Sequence, residues 1–373
     1  MKPKIFFLNT FAPWGGGEKW TLDTALELNR RGYEVVIGAK PRSELYQRSQ
    51  EAGLKIKAVS LKNTISAFNP FKLISFALYL RKEKINILFV NLSQDLKFGG
   101  VAGKFAKVNK IIFIRGSANP IKNRFYTKLL LRDCVTGILA NSQATKETIL
   151  VNTSEWLDEV KIKIVYDGIK LDEIKAAIAQ SGSNVREEFG IGKDQILIAN
   201  IGRISREKGH QYLVEAVRCL INRGVKNFKV LIVGKGILEN EIKTQVKNYG
   251  LEDYIIFAGF RTDIYNMMKQ MDFLLHTALF EGFGFVIAEA MAVGKPVVCT
   301  NVSSISDMVI DGETGYLAQS KNPDDIADQV IRMINTDKDK REKMGEKGKK
   351  IVEEKFAFEK VTDQLENLYL VNH

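Results

Sequence analysis

The sequence predicts an α/β protein with two Rossmann-like domains facing each other across a cleft. Three observations lead there. Short β-branched or apolar runs alternate with longer amphipathic ones, the pattern of βαβ units and parallel sheets. The alternation pauses after residue 165 and restarts at residue 196. At 373 residues, with 45% hydrophobic and 27% charged positions, the chain is too long for one ordinary core and too apolar for disorder.

In the first half, strands are expected at 4–9, 34–39, 56–59, 87–91, 111–114, 137–140 and 162–165. Helices are expected between them at 19–31, 43–51, 71–84, 96–108, 123–133 and 142–149, where apolar residues recur three and four apart. Tyr166-Asp167-Gly168 then signals a turn, and the polar residues 180–184 form the best linker. In the second half, near-continuous apolar runs at 196–201, 230–234, 254–258, 273–277 and 296–300 read as doubly covered parallel strands. Helices are expected at 208–223, 238–249, 263–268, 285–293, 324–335, 341–356 and 358–370. The domains are therefore 1–170 and 185–357, with the C-terminal helix 358–373 expected to complete the first. Ligands of such sheets bind at the carboxyl ends of strands, so the cleft is the expected site.

Charge is unevenly divided. Residues 1–170 hold 28 Lys and Arg against 14 Asp and Glu, a balance of +14, while residues 171–373 hold 27 against 30, a balance of −3. The first half is expected to meet an anionic partner. No run reaches the roughly 18 uncharged apolar residues of a membrane-spanning helix, and the start shows no signal-peptide pattern, so a cytoplasmic protein is expected. Cys134, Cys219 and Cys299 are too scattered for a disulfide framework or a zinc site.

Three loops carry the candidate chemistry. Gly15, Gly16 and Gly17 follow the first strand and precede a helix, where glycines admit positive φ and let backbone N–H groups approach an anion. A tight βα turn needs glycine for structural reasons as well. In the second half, Arg203 and Lys208 flank a loop that opens a helix, so two cations and a helix N-terminus can converge on a diphosphate; two solvated surface cations are the alternative. Further on, Gly282 and Gly284 bare the amides of Phe283, Gly284, Phe285 and Val286 at another helix start. Glu281 and Glu289, eight residues apart, are read as lying about two turns apart along one side. A carboxylate within so apolar a helix needs a partner, which draws attention to Glu289, either to a ligand or to an internal ion pair. Glu281 is read either as a ligand-binding group or as a helix cap. The one Asp-x-Asp, Asp337-Lys338-Asp339, lies between late helices, and His210, His276 and His373 have no ligand spacing, so no metal is expected.

Together these residues resemble a known family. The run Ile201-Gly202-Arg203 with Glu207-Lys208-Gly209, then Val233-Gly234-Lys235-Gly236, Phe257-Ala258-Gly259, Glu281-Gly282-Phe283-Gly284 with Glu289-Ala290-Met291-Ala292, Gly294-Lys295-Pro296 and Gly315-Tyr316-Leu317 resembles the second domain of the retaining, GT-B-fold glycosyltransferases of family four. Gly15-Gly16-Gly17-Glu18 is similar to that family's first-domain glycine loop. The resemblance implies a nucleotide-sugar donor, UDP-sugar favoured and GDP-mannose possible, held mainly by the second domain, with an acceptor held by the first. It implies that Arg203 and Lys208 bind the diphosphate and replace a metal. Glu289 would accept the ribose hydroxyls, Glu281 and the amides of residues 283–286 would grip the sugar, and the backbone near Phe260 and Arg261 would read the base. Gly15, Gly16 and Gly17 would close over the phosphates. No cofactor is implied. Where many relatives carry a histidine after the fifth strand this chain has Arg115, which stays protonated and cannot be a general base; it is read as contacting the sugar, a phosphate or an acidic acceptor, or as a surface arginine. Asp167 stands where an asparagine is common and receives no role.

Residues 62–84 and 119–132 mix Lys and Arg with Phe, Leu, Ile and Tyr, as segments lying in an anionic bilayer interface do; a buried connecting helix with charged ends fits the first equally. No nucleic-acid motif accompanies the basic patch. The expected protein is thus a peripheral enzyme of the inner membrane face, transferring a sugar to a glycan or lipid-linked acceptor in bacterial polysaccharide or glycolipid synthesis. The alternatives are a GT-B epimerase or phosphorylase, or an inactive sugar-nucleotide-binding partner subunit.

Overall fold

The described residues form thirteen strands, and every pairing among them is parallel. The computed structural model describes residues 2–61, 66–116, 120–180 and 182–371. His373, residues 62–65 of the first basic segment, Asn119 of the second and Ser181 of the expected linker lie outside them. The chain forms two compact units, Met1–Gly168 with Glu359–His373, and Ile169–Phe358.

The first unit contains β1 (Ile5–Asn9), β2 (Val35–Ala39), β3 (Lys55–Ala58), β4 (Ile87–Val90), β5 (Lys110–Arg115), β6 (Gly137–Ala140) and β7 (Ile162–Ile164), in the order β3-β2-β1-β4-β5-β6-β7. Alternate residues of β1 serve opposite faces: Phe6 and Leu8 pack with Phe76, Phe98 and Leu130, while Ile5 and Phe7 pack with Trp20, Leu28 and Phe89. The second face is closed by helix Phe358–Tyr369, whose Val361, Leu365 and Tyr369 are buried there. Arg31 ties that helix down through Glu366 at 2.7 Å and Asp363 at 2.5 Å.

The second unit contains β8 (Ile196–Ile201), β9 (Phe228–Val233), β10 (Ile255–Gly259), β11 (Phe273–His276), β12 (Val297–Thr300) and β13 (Gly315–Ala318), in the order β10-β9-β8-β11-β12-β13. Both sheets reverse direction of growth beside their first strand, at β1/β4 and β8/β11, which are the positions where α/β sheets bind ligands.

Several expectations are corrected. Strand β13 falls in a segment read only as a motif, because four residues beginning with glycine carry little apolar signal. The second unit begins at Ile169 rather than 185. Helix Leu171–Ala179, unassigned in the sequence, buries Ile174 and packs against helices Ile264–Gln270 and Phe285–Ala292 of that unit. The helix expected at 123–133 is a helix over Phe125–Leu129 continued by a wider π-turn over Leu130–Cys134. The helix expected from residue 19 starts at Gly16.

Candidate active site

In the second unit the site grows from the carboxyl ends of β8 and β11. After β8 the chain turns at Gly202 and runs through Arg203, Ile204 and Ser205 to a short 3₁₀ turn, Arg206–Lys208. Gly209, at φ +65°, then admits helix His210–Asn222; a β-carbon there would meet the Thr277 carbonyl at 2.1 Å. That close approach joins the two loops, and it is reinforced by the Thr277 hydroxyl donating to the Lys208 carbonyl at 3.2 Å and the Leu279 N–H donating to the Glu207 carbonyl at 2.8 Å. Gly234 seals the other side at φ +139°, where a β-carbon would lie 1.9 Å from the Gly202 carbonyl.

The result is that Lys208 and Glu281, 73 residues apart, touch: Lys208 Nζ donates to Glu281 Oε2 at 2.5 Å. The same oxygen lies 2.9 Å from His276 Nε2. Burial opposes ionisation of Glu281, but the His276 hydrogen bond and the Lys208 charge prevail and hold its carboxyl at about 2. Burial also lowers the His276 pKa, so the ring is neutral and its Nε2–H donates to the carboxylate. The Glu281 carboxylate thus faces an ammonium that is half-buried and has donors to spare for a ligand.

Glu281 precedes helix Phe285–Ala292, so it does not share a helical side with Glu289. Nor does it cap that helix: the N-cap is Gly284 at φ +93°, with no side-chain cap, which leaves the amides of Phe285 and Val286 at the helix start. The Phe283 ring is core, packed edge-on to Phe285 and Phe356. Ser304 Oγ holds the loop through the carbonyls of Gly282 and Phe283. Glu289 accepts from the Tyr265 hydroxyl at 3.2 Å. Arg203 is exposed and reaches Glu207 at 2.7 Å rather than Lys208's partner. Arg261 grips Asp263 at 2.8 Å and pairs with Glu188, leaving the exposed Phe260 beside it.

In the first unit, Gly15 is extended and caps a helix whose first turn contains Gly16 and Gly17; none of the three has positive φ. The buried Glu18 folds back so that its carboxylate accepts the amides of Gly15 and Glu18 and the Asn9 side chain at 3.1 Å. The helix start is thus met by the chain's own carboxylate. Asn141 bonds Asp167 at 3.3 Å, and burial raises the Asp167 carboxyl to about 6. Arg115 ends β5 and lines a cavity of about 360 Å³ together with Lys97, Lys122, Arg124 and Tyr126. Among the described residues no group of three His, Cys, Asp or Glu side chains is placed to hold a metal ion.

From sequence, His276 is considered only as a metal ligand and not as a partner of Glu281. It ends a buried strand five residues before Glu281, and a histidine at a strand's carboxyl end, followed by a carboxylate after one turn, was the available signal.

Comparison with known proteins defines the class. Residues 14–173 match the model of glycosyltransferase family 4 and residues 183–351 that of glycosyl transferases group 1; the chain belongs to this family of glycosyltransferases. Among particular relatives, the capsular polysaccharide biosynthesis glycosyltransferase CapM of Staphylococcus aureus is 29% identical, over 92% of this chain and 91% of its own. An Escherichia coli UDP-Gal:alpha-D-GlcNAc-diphosphoundecaprenol alpha-1,3-galactosyltransferase is 25% identical over 83% of this chain and 82% of its own. The crystal structure of HepE from Anabaena in complex with UDP superposes with a TM-score of 0.83 at 20% identity, covering 98% of this chain and 99% of that one. The fold is therefore GT-B.

Proposed function

We propose that the protein is a retaining, metal-independent glycosyltransferase that moves a sugar from a nucleotide diphosphate, UDP-sugar first, onto a lipid-linked or glycan acceptor of bacterial surface polysaccharide synthesis. The observation that carries this reading is the Lys208–Glu281–His276 cluster at the β8/β11 switch point. Breaking a glycosyl phosphate bond builds negative charge on the leaving phosphate and positive charge on the sugar. Lys208 and the exposed amides at the start of helix Phe285–Ala292 answer the first; the ionised Glu281 faces the second. Arg203, free to swing from an exposed pair with Glu207, supplies a second cation to the diphosphate. In this reading Glu289, which accepts from the Tyr265 hydroxyl, binds the ribose hydroxyls. HepE binds UDP, and the Escherichia coli relative uses UDP-galactose and a diphosphoundecaprenol acceptor, which supports a UDP-sugar donor and a lipid-linked acceptor.

An inner-membrane location is supported by helix Pro70–Lys82. One face, with Phe76, Ala77 and Leu80, is core, whereas Phe71, Ile74 and Leu78 are exposed beside Lys72, Arg81 and Lys82. The core face fits the connecting-helix reading, and the exposed face supports the interfacial one. No helix among the described residues is long and apolar enough to cross a membrane.

The decisive experiment is a thermal-shift screen of nucleotide sugars followed by an NMR time course with the best one. Stabilisation of about 2.7 kcal/mol is expected at 100 times the dissociation constant. Donor conversion without acceptor would instead indicate an epimerase, and failure of every nucleotide sugar to bind would overturn the reading.

A further inference from the structure

The cavity at the end of β5 is more specific than a basic surface patch. It measures about 360 Å³, and four of its lining side chains are cations: Arg115, Lys97, Lys122 and Arg124. Among the described residues that line it there is no carboxylate. They come from three separate segments, the turn Leu96–Gly100, strand Lys110–Arg115 and the stretch leading into helix Phe125–Leu129, so the convergence is a product of the fold and not of a basic run. Arg115 is half-buried, and burial lowers its pKa, although a guanidinium remains charged. Tyr126 reports the same field. Its hydroxyl accepts from Arg124 at 2.8 Å, Lys97 stands 5.0 Å over its ring, and Arg124, Lys97 and Lys122 together hold its phenol below the ordinary range. Four cations brought to the wall of one cavity repel one another, and an anion of two or more charges relieves that repulsion.

The neighbouring surface is apolar. On helix Phe125–Leu129, Phe125 is 83% exposed and Leu129 is also in solvent. The π-turn that continues this helix packs on helix Val101–Ala106, which carries the exposed Phe105 and packs in turn on helix Pro70–Lys82 with its exposed Ile74 and Leu78. A phosphorylated amphiphile matches both halves of this surface, whereas a free anion uses only the pocket.

We propose that the pocket formed by Lys97, Arg115, Lys122 and Arg124 binds the phosphate or diphosphate group of a lipid-linked acceptor. The proposal rests on the glycosyltransferase reading and gives the acceptor a named site. Arg115 acts here as a binding residue for the acceptor's anion.

The test is calorimetric titration of the full chain with geranyl diphosphate, geraniol, inorganic pyrophosphate and UDP. Geranyl diphosphate should bind, geraniol should not, and K122A/R124A should weaken geranyl diphosphate at least about tenfold while UDP affinity is unchanged. R115Q should do the same; the exposed pair K122A/R124A keeps the test valid if R115Q does not fold. Unaltered geranyl diphosphate binding in both variants overturns the proposal, as does its displacement by UDP, which would place it in the donor site. Pyrophosphate binding as tightly as geranyl diphosphate overturns the lipid assignment. UDP binding without any geranyl diphosphate binding removes the pocket's role and leaves the donor reading standing; loss of both removes both.

Discussion

Lys208 Nζ lies 2.5 Å from Glu281 Oε2, a side-chain ion pair between the loop after β8 and the loop after β11. Removing either partner strands the other in a half-buried site, so the two act as a unit. We expect Lys208→Ala and Glu281→Ala each to reduce donor turnover by about 100-fold or more, and the double variant to fall little further. Steady-state assays of the three variants check this; near-normal turnover in both single variants would discard the site.

The same contact was only half legible beforehand. Arg203, Lys208 and Glu281 stand out in sequence because glycines and a helix start flank them at strand ends. Their pairing is not legible: partner choice depends on which loops the β8/β11 adjacency brings together, and Arg203 pairs with Glu207, its i,i+4 carboxylate. His276 was hidden by its place in an apolar strand. In the glycine loop near residue 15, the sequence shows the turn but not that Glu18 supplies the helix start with its anion. The strand pattern, by contrast, located twelve of the thirteen described strands: the inner ones are near-continuous apolar runs, while the edge strands β3 and β7 alternate isoleucine with lysine.

Acid should weaken the second unit through Glu281. Its folded-state pKa of about 2 lies below the ordinary 4.5, so its ionised form stabilises the fold above pH 4.5, and that contribution disappears as pH falls toward 2. The lowered pKa of His276 acts in the same direction, beginning as pH falls below its ordinary 6.5. Urea denaturation between pH 7 and pH 3 should show stability falling with acid, on a shallower slope below pH 5 in Glu281→Gln. Equal slopes would show that the cluster's protonation is not linked to folding.

Gly234 should tolerate no side chain. A β-carbon there would sit 1.9 Å from the Gly202 carbonyl, at a φ of +139° that other residues avoid. Gly234→Ala should cost more than about 2 kcal/mol in chemical denaturation and weaken UDP binding, because the backbone must part exactly where the loops after β8 and β9 cross. Wild-type stability would mean that the two loops are not held together as described.

The Tyr265 hydroxyl is 3.2 Å from Glu289 and donates to it. Tyr265→Phe keeps the ring and removes only the hydrogen bond, leaving Glu289 charged but less well oriented. The donor KM should rise about fivefold with kcat nearly unchanged, the signature of lost uniform binding. A fall in kcat with KM unchanged would place Glu289 at the reacting sugar instead of the ribose.

The proposed membrane attachment can be tested on helix Pro70–Lys82, whose two faces differ. Phe71 is 82% exposed and Ile74 60%, on a helix whose opposite side is fixed in the core, so these side chains are available without unfolding anything. With Lys72, Arg81 and Lys82 on the same short helix, two forces are in play: burial of apolar area, which salt does not weaken, and attraction to anionic lipid at about 1 kcal/mol per cation, which it does. Sedimentation with phosphatidylglycerol vesicles should therefore exceed that with phosphatidylcholine and fall, but not vanish, at high salt. Ile74→Glu with Leu78→Glu should abolish the salt-resistant part, because each places a carboxylate where hydrocarbon would lie. Lysine and arginine replacements among residues 122–132 should reduce the salt-sensitive part alone. Vesicle binding that is equal for both lipids and untouched by either set would assign the +14 charge of the first 170 residues to something other than a membrane.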